Sequence, residues 1–291
     1  MVPHVQLRLV QPNIAQALKW DPSQREANLQ TLLRLSAQSG AIPPTHIIWP
    51  ESAVAFFLLD DASRRSQISA ALPAGAVLLT GGDRRQPNYA TNRWDYFNSL
   101  LVLDGGVVTT GYDKYHLVPF GEYVPFQGFG PVATATAGMG SFVAGPAPQT
   151  LQVRGLPPFS PLICYEVIFP GAVTDRLTPP QLLINITNDA WYGNTAGPHQ
   201  HLAIARMRAI EEGVPLLRAA NTGISAIIDA YGRTLRILPL GMEGIVDAPL
   251  PAARDATLYR DLADSIVLVT SILLGTLLCF ASQRRHKINQ F

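Results

Sequence analysis

Short apolar runs closed off by Gly, Pro, Asn or Asp recur through the first 250 residues: VQLRLVQ from Val5, HIIWP from His46, AVLLTGG from Ala76, SLLVL from Ser99, TLQV from Thr150, PLICYE from Pro161, LLINITND from Leu182 and ISAIID from Ile224. Runs of this length, rich in β-branched residues and bounded by turn formers, read as strands. Longer stretches with helical spacing lie between several of them, notably Gln24 to Ser39 and His199 to Gly213. The second ends on Gly213 and then Pro215, a C-terminal stop. SLLVLDGGVVTTG reads as a hairpin. Strands alternating with helices, plus a hairpin, predict a layered α/β domain with a mixed sheet, and no internal repeat is visible.

Two segments break this pattern. Pro125 to Pro148 is apolar, small, rich in Gly and Pro and uncharged; it reads either as a packed loop or as an apolar lid that touches lipid or covers an acyl chain, and AVAFFLLD after Glu51 could extend the same surface. From Ser265 to Gln283 no residue is charged, and at 1.5 Å per residue the stretch is about long enough to span a bilayer core. Arg284, Arg285, His286 and Lys287 follow it. The expectation is a catalytic domain over 1–258, a transmembrane helix over 262–283 and a basic cytoplasmic tail over 284–291, with the body of the protein on the far side of the membrane. Met1 to Ile14 does not read as an export signal.

Composition sharpens the picture only in places. Charged residues are 15% of the chain, below the roughly 25% of soluble domains, and the mean hydropathy is +0.15. Lys plus Arg is 22 and Asp plus Glu is 21, so no global field selects nucleic acid or an acidic substrate. No P-loop or GxGxxG follows a strand, and no CxxC or HExxH is present, so neither a cofactor nor a metal is expected. His199 and His201 do not share a helical face and read as structural or surface residues. The NIT triplet at Asn185 falls in a buried strand and reads as coincidence rather than as a glycosylation site.

Two cysteines occur, Cys164 and Cys279. Cys279 lies in the apolar stretch, which leaves Cys164 a free thiol. Alone it reads as a small core hydrophobe. Two other strand ends change that reading. HIIWPESA closes an apolar run on Glu51, and YDKYHLVPFGEYVP offers Lys114 and Glu122. A carboxylate, an amine and a thiol are the parts needed to form and resolve a thioester: Glu51 as a base whose pKa rises on desolvation, Lys114 as the oxyanion partner with the backbone N–H groups at Cys164 or Tyr165, and Cys164 as nucleophile. The competing reading of Glu51 and Lys114 is a structural ion pair. Glu122 and Glu166, taken alone, read as surface carboxylates.

WPESA, KYHLVPFGEYVP and CYEVIFP, in that order, resemble the Glu, Lys and Cys motifs of the nitrilase superfamily, and HLVPFGEYVP, KWDP and NDAWYG resemble more narrowly the apolipoprotein N-acyltransferase family. The resemblance implies an αββα sandwich, Glu51 as general base, Lys114 as oxyanion stabiliser, Cys164 as nucleophile, supporting roles for Glu122, Tyr165 and Glu166, and substrate contact by Trp20. It further implies a phospholipid acyl donor, a diacylglyceryl-cysteine apolipoprotein as acceptor, and residence in the bacterial inner membrane with the catalytic domain on the periplasmic side. Members of that family carry transmembrane helices before this domain, and the expectation here is a membrane part upstream or on a separate polypeptide. The alternative is a carbon-nitrogen hydrolase using the same three groups on small amides.

Overall fold

The computed structural model describes residues 1–125, 141–262 and 265–288. Its first sheet has six strands in the order β11-β1-β2-β3-β4-β5: β1 (Gln6–Gln11), β2 (His46–Ile48), β3 (Val77–Asn88), β4 (Arg93–Asp104), β5 (Val107–Asp113) and β11 (Gly244–Pro249). The second has five in the order β10-β9-β8-β7-β6: β6 (Phe159–Ile163), β7 (Leu182–Thr187), β8 (Leu216–Ala220), β9 (Ser225–Ile228) and β10 (Thr234–Leu238). The first sheet is parallel at its centre, β1-β2-β3, and antiparallel on either side; the second is parallel from its β6 edge through β7 to β8 and antiparallel from β8 through β9 to β10. Strands in such a centre are covered on both faces, which explains why they read as continuous apolar runs. The expected hairpin is the antiparallel β4-β5 pair.

The sheets pack face to face through Leu7, Leu9, Ile48, Leu79 and Val102 on one side and Phe159, Ile163, Ile184, Ile186 and Leu217 on the other. Helices α2 (Arg25–Ser36) and α3 (Ala62–Ala71) cover the outer face of the first sheet, placing Leu29, Leu32, Leu35 and Ile68 against Ile47, Leu78 and Leu101. Helix α4 (Gly197–Glu212) covers the second with Leu202, Ala205 and Ala209, and ends on Gly213 in the left-handed conformation. The expected four-layer αββα sandwich is therefore formed. TLQV departs from expectation, since it makes only an isolated bridge from Leu151 to Phe159.

A short α1 (Gln16–Lys19) precedes α2, and α5 (Leu258–Leu262) leads into α6 (Ser265–Ile288). Val267, Leu268, Ile272, Leu273 and Leu277 on α6 are all more than half exposed. Yet among the described residues no helix is long and apolar enough to cross a membrane. The expected transmembrane segment is thus a helix but is not supported as a span among the described residues. Most of the expected lid, residues 126–140, lies outside the described residues.

Candidate active site

Open α/β sheets place reactive groups beyond the carboxyl ends of their parallel strands. Here Glu51 follows β2, Cys164 follows β6 directly, Asn188 and Asp189 follow β7, and Lys114 follows β5. The backbone turns sharply at Glu51, with Ser52 at φ 43°. Gly81 of β3 makes that turn possible, since a Cβ there would stand 2.5 Å from the Pro50 carbonyl oxygen and 2.6 Å from the Glu51 Cα.

Glu51 is held on all sides. Its Oε1 accepts from Asn98 Nδ2 at 2.8 Å, its Oε2 from the Asn188 N–H at 2.9 Å, and its backbone oxygen from Lys19 Nζ at 2.9 Å. Lys114 Nζ lies 3.5 Å from Glu51 Oε1 and 2.9 Å from Glu122. Asn98 also donates to Glu122 Oε1 at 2.9 Å, bridging the two carboxylates. Glu122 is therefore no surface carboxylate; it neutralises a buried ammonium.

Glu166 is inside as well, only 2% exposed. Its Oε1 accepts from the Tyr112 hydroxyl at 2.6 Å and from the N–H groups of Tyr115 and His116 at 2.8 and 3.1 Å, and its Oε2 accepts from the Ile163 N–H at 2.7 Å. This one carboxylate ties the backbone after Lys114 to the backbone before Cys164. Burial pushes its pKa up, and the four donors oppose that.

Cys164 opens a 3-10 turn with φ 51°, the left-handed region that non-glycine residues seldom occupy. Burial, and then Glu51, push its thiol up to about 12, against the pull of Lys114. The resting group is thus a thiol beside a carboxylate rather than a preformed thiolate. Burial works against the Lys114 charge, but Glu51, Cys164 and Glu122 outweigh it and raise its pKa. Lys19 is the opposite case: burial dominates over Glu51, Asp83 and Cys164 and lowers it to about 8. Asp83, half-buried, is raised to about 6 by desolvation, with Lys19 opposing and Glu51 adding to the rise.

On the second sheet, His201 of α4 places Nε2 3.1 Å from the Cys164 carbonyl oxygen and Nδ1 2.9 Å from Asp189 Oδ1. Arg218 of β8 donates to Asp189 Oδ2 at 2.7 Å and also bonds Asn185. Burial would raise Asp189, but Arg218 and His201 hold it below the usual carboxylate range. So His201 is not a surface residue, and Asn185 turns its amide inward on Arg218 and the Leu162 carbonyl.

The structure thus brings Glu51, Lys114, Cys164, Glu122 and Glu166 together. Tyr165 is half-buried, its ring edge-on to Phe169 with centroids 5.0 Å apart. Trp20 stays at the surface, 47% exposed, its ring 5.8 Å from Lys19 Nζ. Phe120 and Trp191 are also exposed aromatics, each within two residues of a site group, Glu122 or Asp189. Sequence reading missed Lys19, Asn98, Asp189, His201 and Arg218. KWDP and NDAWYG contain two of them; nothing local marks the others. Among the described residues no cluster of His, Cys, Asp and Glu could hold a metal ion.

Residues 6–257 match the sequence model of the carbon-nitrogen hydrolase family. The apolipoprotein N-acyltransferase of Bradyrhizobium diazoefficiens is 44% identical over 293 residues, covering 94% of this chain and 54% of that one. Those of Rhodopseudomonas palustris and Brucella melitensis are 42% and 41% identical, each covering 96% of this chain and 54% of theirs. The chain therefore spans about half the length of the curated relatives it matches. Among solved structures, an amidase from Nesterenkonia sp. AN1 superposes with a TM-score of 0.59 at 21% identity, over 86% of this chain and 93% of that one. A CN-hydrolase superfamily protein from Xanthomonas campestris gives 0.58 at 20%, over 91% and 96%. Sandwich, strand-end site and family match agree: the chain belongs to the carbon-nitrogen hydrolase family.

Proposed function

We propose that the chain carries the catalytic site of a lipoprotein N-acyltransferase, and that Cys164, Glu51 and Lys114 are its nucleophile, general base and oxyanion partner. The observation that carries this reading is identity above 40% to apolipoprotein N-acyltransferases across the whole stretch that holds these groups. In the first half-reaction Glu51 takes the thiol proton as Cys164 Sγ attacks the acyl ester carbon of a phospholipid. Lys114 stabilises the tetrahedral oxyanion, the lysophospholipid oxygen leaves with the proton, and a thioester remains. In the second, the amine of a diacylglyceryl-cysteine attacks the thioester, Glu51 takes the amine proton, and the amide product leaves Cys164 as the thiol again. A thiol pushed up to about 12 suits this order, because deprotonation then waits for substrate. Glu122 keeps Lys114 charged and in place, and Glu166 fixes the two backbone segments that bear Lys114 and Cys164. Trp20 contacts lipid at the surface. The lipid substrates and the exposed apolar side chains of α6 favour a bacterial membrane as the place of action.

Incubation with phospholipid should leave a hydroxylamine-labile fatty-acyl adduct on the peptide containing Cys164, absent in Cys164→Ser. Acylation mapped to another residue, or transfer undiminished in the serine variant, would sink the assignment. Release of free ammonia from small amides, with no transfer to a lipopeptide amine, would favour the amidase reading instead.

A further inference from the structure

His201 lies on the buried face of α4, 3% exposed, and both nitrogens of its ring have polar neighbours. A carbonyl oxygen only accepts, so the 3.1 Å contact with the Cys164 oxygen requires the proton on Nε2. The ring cannot drift from that position. Nδ1 lies 2.9 Å from Asp189 Oδ1 and 3.1 Å from Arg218 Nη2, donating to the first when it carries a proton and accepting from the second when it does not. Thr187 Oγ1 braces Asp189 at 3.1 Å, and Tyr192 packs edge-on with centroids 5.9 Å apart.

The carbonyl that this ring grips belongs to a residue in the left-handed region that non-glycine residues seldom occupy, Cys164 at φ 51°. That carbonyl shares a peptide with the Tyr165 N–H, which sits in the first turn of the 3-10 segment, where N–H groups have no acceptor within the helix. A bond to one end of a peptide strengthens the donor at its other end.

We propose that His201 is a positioning residue for the nucleophile: through its Nε2–H bond to the Cys164 carbonyl it holds the left-handed conformation that presents Sγ, and it polarises the peptide whose Tyr165 N–H meets the oxyanion. This rests on Cys164 being the nucleophile and is independent of which acyl donor it attacks.

The test compares His201→Gln, whose amide can still donate to the Cys164 oxygen, with His201→Met, which fills similar space and cannot. Single-turnover acylation by a p-nitrophenyl acyl ester, read as the p-nitrophenolate burst, uses the oxyanion site; alkylation by iodoacetamide uses only the thiol. His201→Met should slow acylation by about tenfold to a hundredfold, a fraction of the loss of a direct oxyanion donor, and alkylation by less. KM should hold within about twofold, and His201→Gln should recover most of the rate. Acylation by His201→Met at the wild-type rate would overturn the proposal. So would equal losses in both variants with wild-type melting, which would make the ring a partner of Asp189 alone. Should His201→Met fail to fold, 15N-histidine spectra of the wild type decide: the Nε2 resonance must move when Cys164 is acylated, and an unmoved resonance refutes the link. Absence of any burst in the wild type would remove the nucleophile reading itself, whereas a burst without transfer to a lipopeptide would count against the acyltransferase reading and leave His201 standing.

Discussion

Lys19 offers a test in which the sign is as informative as the size. It is a buried ammonium whose polar bond is to the Glu51 carbonyl oxygen, and burial lowers its pKa from 10.5 to about 8. At one pKa unit per 1.36 kcal/mol, the folded state carries a penalty of about 3 kcal/mol for keeping Lys19 charged. Below about pH 8 both states hold the proton and the penalty is present in full. Between about 8 and 10.5 the unfolded chain binds more protons than the folded one, so stability from this group rises with pH by about 1.4 kcal/mol per unit. Cys164, pushed from 9.0 to about 12, and Lys114, pushed up by its carboxylate neighbours, act the other way above about 9 and 10.5. The difference between wild type and Lys19→Met isolates the effect. The variant loses a hydrogen bond worth about 1 kcal/mol, an offset that does not change with pH because the neutral amine still donates to the Glu51 oxygen. Urea midpoints followed by tryptophan fluorescence from pH 7 to 10.5 should show the wild type gaining about 3 kcal/mol relative to the variant. Parallel curves would refute the reasoning.

Other substitutions probe the site piece by piece. Lys114→Met should lower the acylation rate by about a hundredfold or more with a smaller change in binding, measured in single-turnover burst experiments. Glu166→Gln turns an amide N–H toward one of four donors and should cost about 1–3 kcal/mol in urea unfolding, with a lower kcat. Gly81→Ala puts a Cβ against the Glu51 turn and should cost about 1–3 kcal/mol while lowering acylation more than melting alone explains. Iodoacetamide alkylation of Cys164 without substrate should keep rising past about pH 10, and a plateau near 9 would show that the thiol is not pushed up.

Apart from β5, which the hairpin turn revealed, the strands legible in the sequence were those covered on both faces, where burial produces an unbroken apolar run. β8 escaped notice because its centre is Arg218, whose burial depends on Asp189 and Asn185, contributed by β7 and the turn after it. α3 escaped because only Ile68 of it is buried, too little for a helical period. Glu51, Lys114 and Cys164 could be picked out because each ends an apolar run. Lys19, Asn98 and His201 could not, since their decisive bonds reach across 32, 47 and 37 residues of chain. Surface frequency misjudged Glu122 and Glu166, whose burial is bought by partners that no local pattern reveals. At the C-terminus the helix was legible, while a membrane span is not supported among the described residues.

Glu51 and Lys114 stand on the first sheet, Cys164 on the second, and the Asn188 N–H crosses between them to the Glu51 carboxylate. Neither sheet alone contains a working set of groups. A partly denatured chain that keeps its strands but loosens the packing of Leu9 and Val102 on Ile163 and Ile186 would retain its far-ultraviolet signal and lose its chemistry. Inactivation by heat or mild denaturant should therefore run ahead of the loss of secondary structure, and the reactivity of one thiol becomes a gauge of how firmly two sheets are docked.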